Sequence, residues 1–214
     1  MTKSRLVYCV LASATLLCAC DRTTRGGATP VDTTAVGNPA LRDELLRMGS
    51  LDQTARAGMD VQSMADTIMA RASLAIDSVL TRRLDSIVEE HGWPTWTMVG
   101  KEAASHAFRI VQHSPSDAFQ RRMLALIESA ASAGEATPSD VAMLTDRLRT
   151  HDGLPQLYGT QFRIVDGELV PFPIENPEGL DQRRAAVGLV PMTEYVKLLE
   201  DLYKGPVKWP PDST

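Results

Sequence analysis

Cysteine, aromatic side chains and basic charge are all scarce in this chain. Of its 214 residues 5% are aromatic and three are cysteine, and 22 lysines and arginines face 27 aspartates and glutamates. Cys9, Cys18 and Cys20 all lie within the first twenty residues. The body of the chain therefore has no thiol for a disulfide, a metal or a nucleophile. A net charge of −5 lacks the basic footprint that phosphate neutralisation requires, which argues against general nucleic-acid binding. Also missing are a Gly-rich phosphate loop, a nucleophile elbow, an HExxH motif and paired-cysteine zinc spacing, so the known hydrolase and metalloprotease signatures are absent. The apolar share of 43% still excludes a disordered or collagen-like chain and suits one compact domain with appendages.

What the chain does have starts at its first residues. Lys3 and Arg5 form a short basic region, and Leu6 to Leu17 is apolar apart from small hydroxyls and one cysteine. Twelve helical residues reach about 18 Å, short of the roughly 30 Å hydrocarbon core, so the stretch is expected as an export signal and not a spanning helix. Leu17-Cys18-Ala19-Cys20 resembles the lipobox of bacterial lipoproteins, with an aliphatic residue three positions before the modified cysteine and a small one just before it. The resemblance implies that residues 1–19 leave as a signal peptide and that Cys20 is acylated and becomes the N-terminus. Cys18 fits less well, because Leu17 would hold the position of the small side chain. Ordinary cleavage nearby, leaving Cys20 a free thiol, is the alternative. Loss of Lys3 and Arg5 leaves 20 basic against 27 acidic residues, a net of −7. Acyl chains, and not charge, would then hold the domain at the membrane. The expected location is the exported, periplasm-facing side of the cytoplasmic membrane. Asp21 resembles the inner-membrane retention signal of enterobacterial lipoproteins, and the outer membrane is the alternative.

Residues 20–38 have Thr, Gly and a proline but almost no large apolar side chains, and read as a flexible tether. The folded domain is expected over 39–203, opened by Asn38 as an N-cap with Pro39 at the first helical position, and followed by a Pro-rich tail over 204–214. Leu41, Leu45, Leu46 and Met48 form a first helical stripe, with a recapping signal at Ser50 to Gln53 after Gly49. Apolar residues from Val61 to Val88 recur at steps of three and four with no Gly or Pro between Asp60 and His91. They predict one very long helix, or two with a break near Ser73 to Asp77. Further helices are predicted from Gly100 to Gln112, from Ser114-Pro115 to Gly134, and from Thr137-Pro138 to near Gly153. Tyr158 to Val165 and Glu168 to Phe172 flank Asp166-Gly167, a strong hairpin turn signal. Helices around Leu180 to Val187 and from Pro191 to Tyr203 follow. The predicted class is mainly α, a bundle of about five to seven helices with a small C-terminal β-hairpin.

Several polar words lie between these helices: His91-Gly92-Trp93-Pro94, Val111-Gln112-His113, Gly134-Glu135-Ala136, Thr145-Asp146-Arg147, Gln156-Leu157-Tyr158-Gly159-Thr160-Gln161-Phe162 and Pro173-Ile174-Glu175-Asn176-Pro177-Glu178. With Leu45-Leu46-Arg47-Met48, Asp52-Gln53 and Arg56 they resemble a family of uncharacterised bacterial proteins, a domain of unknown function. The resemblance spans roughly 41 to 199. It implies a mostly helical fold and lends no activity.

Each constellation has a structural reading beside a functional one. Glu102, His106, Arg109 and His113 fall within about 60° of one another on the third predicted helix, opposite Ala104, Phe108 and Val111. Glu102 and His106 could share an ion, but His113 lies about 10.5 Å beyond His106, too far for both to bind it. A solvated polar face is the plain reading, and no metal or cofactor is expected. His91 in a last helical turn suits carbonyl capping. Trp93 and Trp96 around Pro94 suit an anchored turn. Asp146-Arg147 could orient an anion through Arg147, or form a helix-surface ion pair. Gln156, Tyr158, Thr160 and Gln161 around Gly159 form the densest uncharged polar cluster. They could orient a polar ligand, or satisfy backbone groups where the hairpin packs on helices.

Two functional classes remain. The first is a membrane-tethered binding or interaction module, taking an envelope protein or a small polar ligand through Gln156, Tyr158, Thr160, Gln161 and Arg147. The second is an enzyme of unfamiliar type, with His91 or His113 as general base and Gln112, Asp146, Tyr158 and Gln161 orienting substrate. The expected functional surface is a cleft in which Val111-Gln112-His113 meets Gln156 to Phe162.

Overall fold

The computed structural model describes residues 9–11, 36–57 and 67–209. Cys20 and nearly all of the expected tether lie outside the described residues. Helix α1 (Pro39–Arg56) opens as the sequence predicts: the Asn38 side chain accepts the Leu41 N–H at 3.1 Å, and Pro39 stands where a missing N–H leaves nothing unpaired. It continues unbroken through Gly49, with no recapping at Ser50. Helix α2 (Thr67–His91) runs 25 residues without a break at Ser73 to Asp77, and Gly92 ends it in the left-handed region at φ 76°. The part predicted over 60–66 lies outside the described residues.

A single turn, α3 (Trp96–Val99), was not anticipated; the Thr95 hydroxyl caps it. Trp93 is buried in the core, and the Lys101 ammonium lies 4.7 Å from the Trp96 ring centroid, so both rings anchor this corner. Helices α4 (Lys101–His113), α5 (Asp117–Ser132) and α6 (Pro138–His151) complete a first layer. Helix α5 starts two residues later than Ser114-Pro115 implies. The Ser114 hydroxyl accepts the Ser116 N–H, and Ser116 becomes the cap. Leu45, Leu84, Ile87, Ala107, Ile110, Met123, Ile127 and Leu144 lie at the centre of the first apolar cluster.

The C-terminal part is smaller. Strands β2 (Gln161–Val165) and β3 (Glu168–Pro171) pair antiparallel, Phe162 opposite Pro171, across Asp166-Gly167. Both turn residues have positive φ, as a two-residue hairpin turn of matching twist requires. Helices α7 (Leu180–Ala186) and α8 (Met192–Tyr203) enclose the hairpin in a second cluster around Phe162, Leu169, Met192, Tyr195 and Leu199.

Both hairpin edges are covered. Residues 206–208, expected in a tail beyond the domain, follow β3: Leu169 N–H donates to Pro206 at 2.9 Å and Lys208 N–H to Leu169 at 2.8 Å. On the other side β1 (Cys9–Leu11) pairs antiparallel with Gln161–Arg163, so these residues form strand and not helix. An open strand edge has unpaired N–H and C=O groups that a nearby extended segment can satisfy. The class is mainly α with a small C-terminal sheet. Eight α-helices occur among the described residues, α3 being the addition to the seven predicted segments. No helix among them is long and apolar enough to cross a membrane.

Candidate functional site

The polar face of α4 is not solvated. Arg109 and His113 are buried, His106 is half-buried and only Glu102 is exposed. The face packs on α1, and Gly49 is the reason it can: a Cβ there would lie 2.0 Å from His106 Nδ1. One turn further along α1, Asp52 is fully buried. Its Oδ1 accepts from His113 Nδ1–H and, at 2.8 Å, from Arg56 Nη1; its Oδ2 accepts from Gln53 Nε2 at 2.7 Å. The other arm of Arg56 reaches α2 and donates to Asp77 Oδ1 at 2.6 Å. Arg109 donates to His106 Nδ1 at 2.7 Å. Helices α1, α2 and α4 thus converge on a chamber of two carboxylates, two guanidinium groups and two imidazoles.

Burial alone would raise the Asp52 carboxyl, but the His113 hydrogen bond and the Arg56 charge outweigh it and hold the group below the usual carboxylate range. Burial, helped by the Arg56 charge, pushes His113 below its ordinary value despite the bond to Asp52. The ring is then neutral, and its Nδ1–H donates to the Asp52 carboxylate. Burial pushes Asp77 up against the pull of Arg56, and pushes His106 down with help from Arg109. One donor atom from each of Asp52, Asp77 and His113 lies within 4.8 Å of the others, the one such group of metal-ligating side chains among the described residues. Chemically, the chamber offers an oriented neutral base, paired acids and anion-seeking guanidinium groups.

Most of the other candidate residues meet in a second network. Asp146 on α6 is fully buried and accepts the backbone N–H of Leu157 at 2.6 Å, of Tyr158 at 3.1 Å and of Thr160 at 3.1 Å, and the Thr160 hydroxyl at 3.0 Å. Burial pushes its carboxyl up while these bonds pull it down. Gln156 Oε1 accepts Gln161 N–H at 2.8 Å, and its Nε2 donates to the carbonyls of Gln161 and Phe172 at 3.1 and 2.9 Å. Gln161 Nε2 donates to the Thr160 hydroxyl at 3.1 Å. The Tyr158 carbonyl accepts from the fully buried Arg184 at 2.5 Å. Gly159 has φ 66° with Ile174 and Met192 packed where a side chain would project. Asp146 and Arg147 are therefore buried and not on the helix surface; Arg147 Nε donates to Gln112 Oε1 at 2.9 Å. The hairpin begins at Gln161, three residues later than predicted, because Asp146 draws residues 157–160 toward α6.

The Val111-Gln112-His113 word is divided between the networks. Gln112 turns toward α6, where its Oε1 accepts from Arg147, while the hydrogen bond of His113 runs the other way, to Asp52 on α1. His91 stands apart at the end of α2 with Glu90 3.5 Å from its Nε2. Asp52, Arg56 and Asp77 were not among the candidates from sequence. Asp52 and Arg56, one helical turn apart, stood among the resemblance words as a usable signal; Asp77 stood where a helix break was in question. Residues 39–208 match a family of unknown function, DUF6624. No curated protein and no solved structure matches the chain.

Proposed function

We propose that this chain, which belongs to the DUF6624 family of unknown function, is an exported binding domain, tethered to the membrane by lipid at Cys20, that takes a small anionic ligand where α1, α2 and α4 meet. The observation that carries the ligand reading is Arg109. It is only 8% exposed, it donates to a histidine, and its Nε has no acceptor among the described residues. A buried guanidinium with such poor pairing is costly, and a carboxylate or phosphate oxygen is the group its fork accepts best. Asp52 feels its charge but already serves Arg56, His113 and Gln53. The Arg56 side chain, 23% exposed, and the exposed Gln53 are where the network reaches solvent and mark the approach.

Titration calorimetry with inorganic phosphate and with acetate tests the reading. Binding of either by the full chain, abolished by Arg109→Gln at unchanged helicity, supports it; no heat with either anion, or equal binding by the variant, overturns it. The tether rests on the lipobox resemblance and is tested by Cys20→Ala, which should move the protein from the membrane to the soluble exported fraction. A second reading, acid–base catalysis, is favoured by His113: a carboxylate on Nδ1 orients the ring and leaves Nε2 to exchange a proton.

A further inference from the structure

We infer that Asp52, Asp77 and His113 form a site for a divalent transition-metal cation such as Zn²⁺ or Mn²⁺, and that Arg56 is the internal cation that holds these ligands together in the metal-free protein. The three side chains come from three helices, α1, α2 and α4, and all are buried. Their donor atoms lie within 4.8 Å of one another. Metal bonds of about 2.0–2.2 Å at the tetrahedral angle place donors about 3.4 Å apart, so the side chains draw together by up to about 1.4 Å to close on an ion. Two carboxylate oxygens and one imidazole nitrogen form a donor set of intermediate hardness, which suits these ions better than a thiolate-seeking or an all-oxygen ion.

A cation already sits between the carboxylates. Arg56 donates to Asp52 at 2.8 Å and to Asp77 at 2.6 Å, so the space between them is built for positive charge. Arg56 belongs to the last turn of α1 and its side chain reaches solvent, so it can swing outward without disturbing the apolar core. One turn beyond Asp77 on α2, the Thr81 hydroxyl is nine-tenths buried and has no partner among the described residues. A water held on the metal would give such a hydroxyl the partner it lacks. When the metal takes His113 Nδ1, the proton there moves to Nε2; the ring stays neutral and no net proton is released. His106 and His113 remain too far apart along α4 to share an ion. The ligands that complete the site come from α1 and α2, which spacing along α4 could not show.

The inference does not rest on the anion reading, because Arg109 is not a ligand: Arg109→Gln should lose the anion response and keep the metal. The decisive experiment is calorimetric titration of the full chain with Zn²⁺ and Mn²⁺, alongside the visible spectrum of the Co²⁺ complex. Expected are one site per chain, its loss in Asp77→Asn and in His113→Gln, and binding on the order of tenfold tighter in Arg56→Gln, where the internal competitor is gone. Circular dichroism verifies the fold of each variant. Zn²⁺ binding that survives both ligand substitutions would assign the ion to exposed histidines and overturn the site. Should the ligand variants fail to fold, the wild type and Arg56→Gln decide: a Co²⁺ spectrum identical to that of the aqueous ion in both overturns it.

Discussion

Asp140 and Asp146 show how placement decides what one side-chain type does. Both lie on α6. Asp146 uses its charge on the backbone of a loop, whereas Asp140 sits in the first turn against the Thr137 hydroxyl and backbone. Burial pushes the Asp140 carboxyl up to about 6 despite those two hydrogen bonds. An acid raised on folding holds its proton in the native state while the unfolded chain releases it. Its contribution to stability is therefore greatest below about pH 4 and declines as the pH rises through 6. Asp140→Asn keeps a hydrogen-bonding side chain without the titration. In thermal unfolding the melting temperature at pH 7, taken relative to that at pH 4.5, should be higher in this variant than in the wild type; an unchanged value would show that Asp140 does not titrate in that window.

Elements were legible where their signals are local. Asn38-Pro39 and Thr137-Pro138 mark helix starts because a cap needs only the next three residues, and Asp166-Gly167 marks a hairpin because the turn needs only its own φ values. Gly49 was misleading for the same reason. Read locally it suggests an interruption, yet it lies inside α1 as the point of closest approach to α4, a property of the pair of helices. Gly49→Ala offers a better helix former, by about 1 kcal/mol, but drives a methyl into the His106 ring. The expected outcome is a net destabilisation of about 1–3 kcal/mol in urea unfolding. The double variant Gly49→Ala/His106→Ala should recover most of it, since the ring is the obstacle. Additive losses in the two single variants would place the obstacle elsewhere.

At the scale of the whole molecule, the mainly α class and the order of its segments could be read from apolar periodicity and turn residues. The chamber could not. Asp52, Asp77 and His113 are far apart in sequence and are brought together only by the packing of three helices, and a buried polar face carries the same spacing as a solvated one. Because Arg56 already bridges the carboxylates, the fold needs no metal, and helicity by circular dichroism should be unchanged by chelator or reductant; cooperative loss of helix with chelator would refute this. The described residues also form two apolar clusters, one within α1 to α6 and one beneath the hairpin and α8. Asp146, on α6, connects them by holding residues 157–160 just ahead of the hairpin. Four bonds converge on one buried carboxylate, so Asp146→Asn should cost about 2–4 kcal/mol, since an amide cannot accept them all. The loss should be unequal. Amide exchange in the variant should accelerate most in β2, β3 and α8, whose attachment Asp146 secures, while α4 and α5 keep their protection. Uniform acceleration over both clusters would instead mean that the chain opens as a single cooperative unit and that Asp146 stabilises the whole of it.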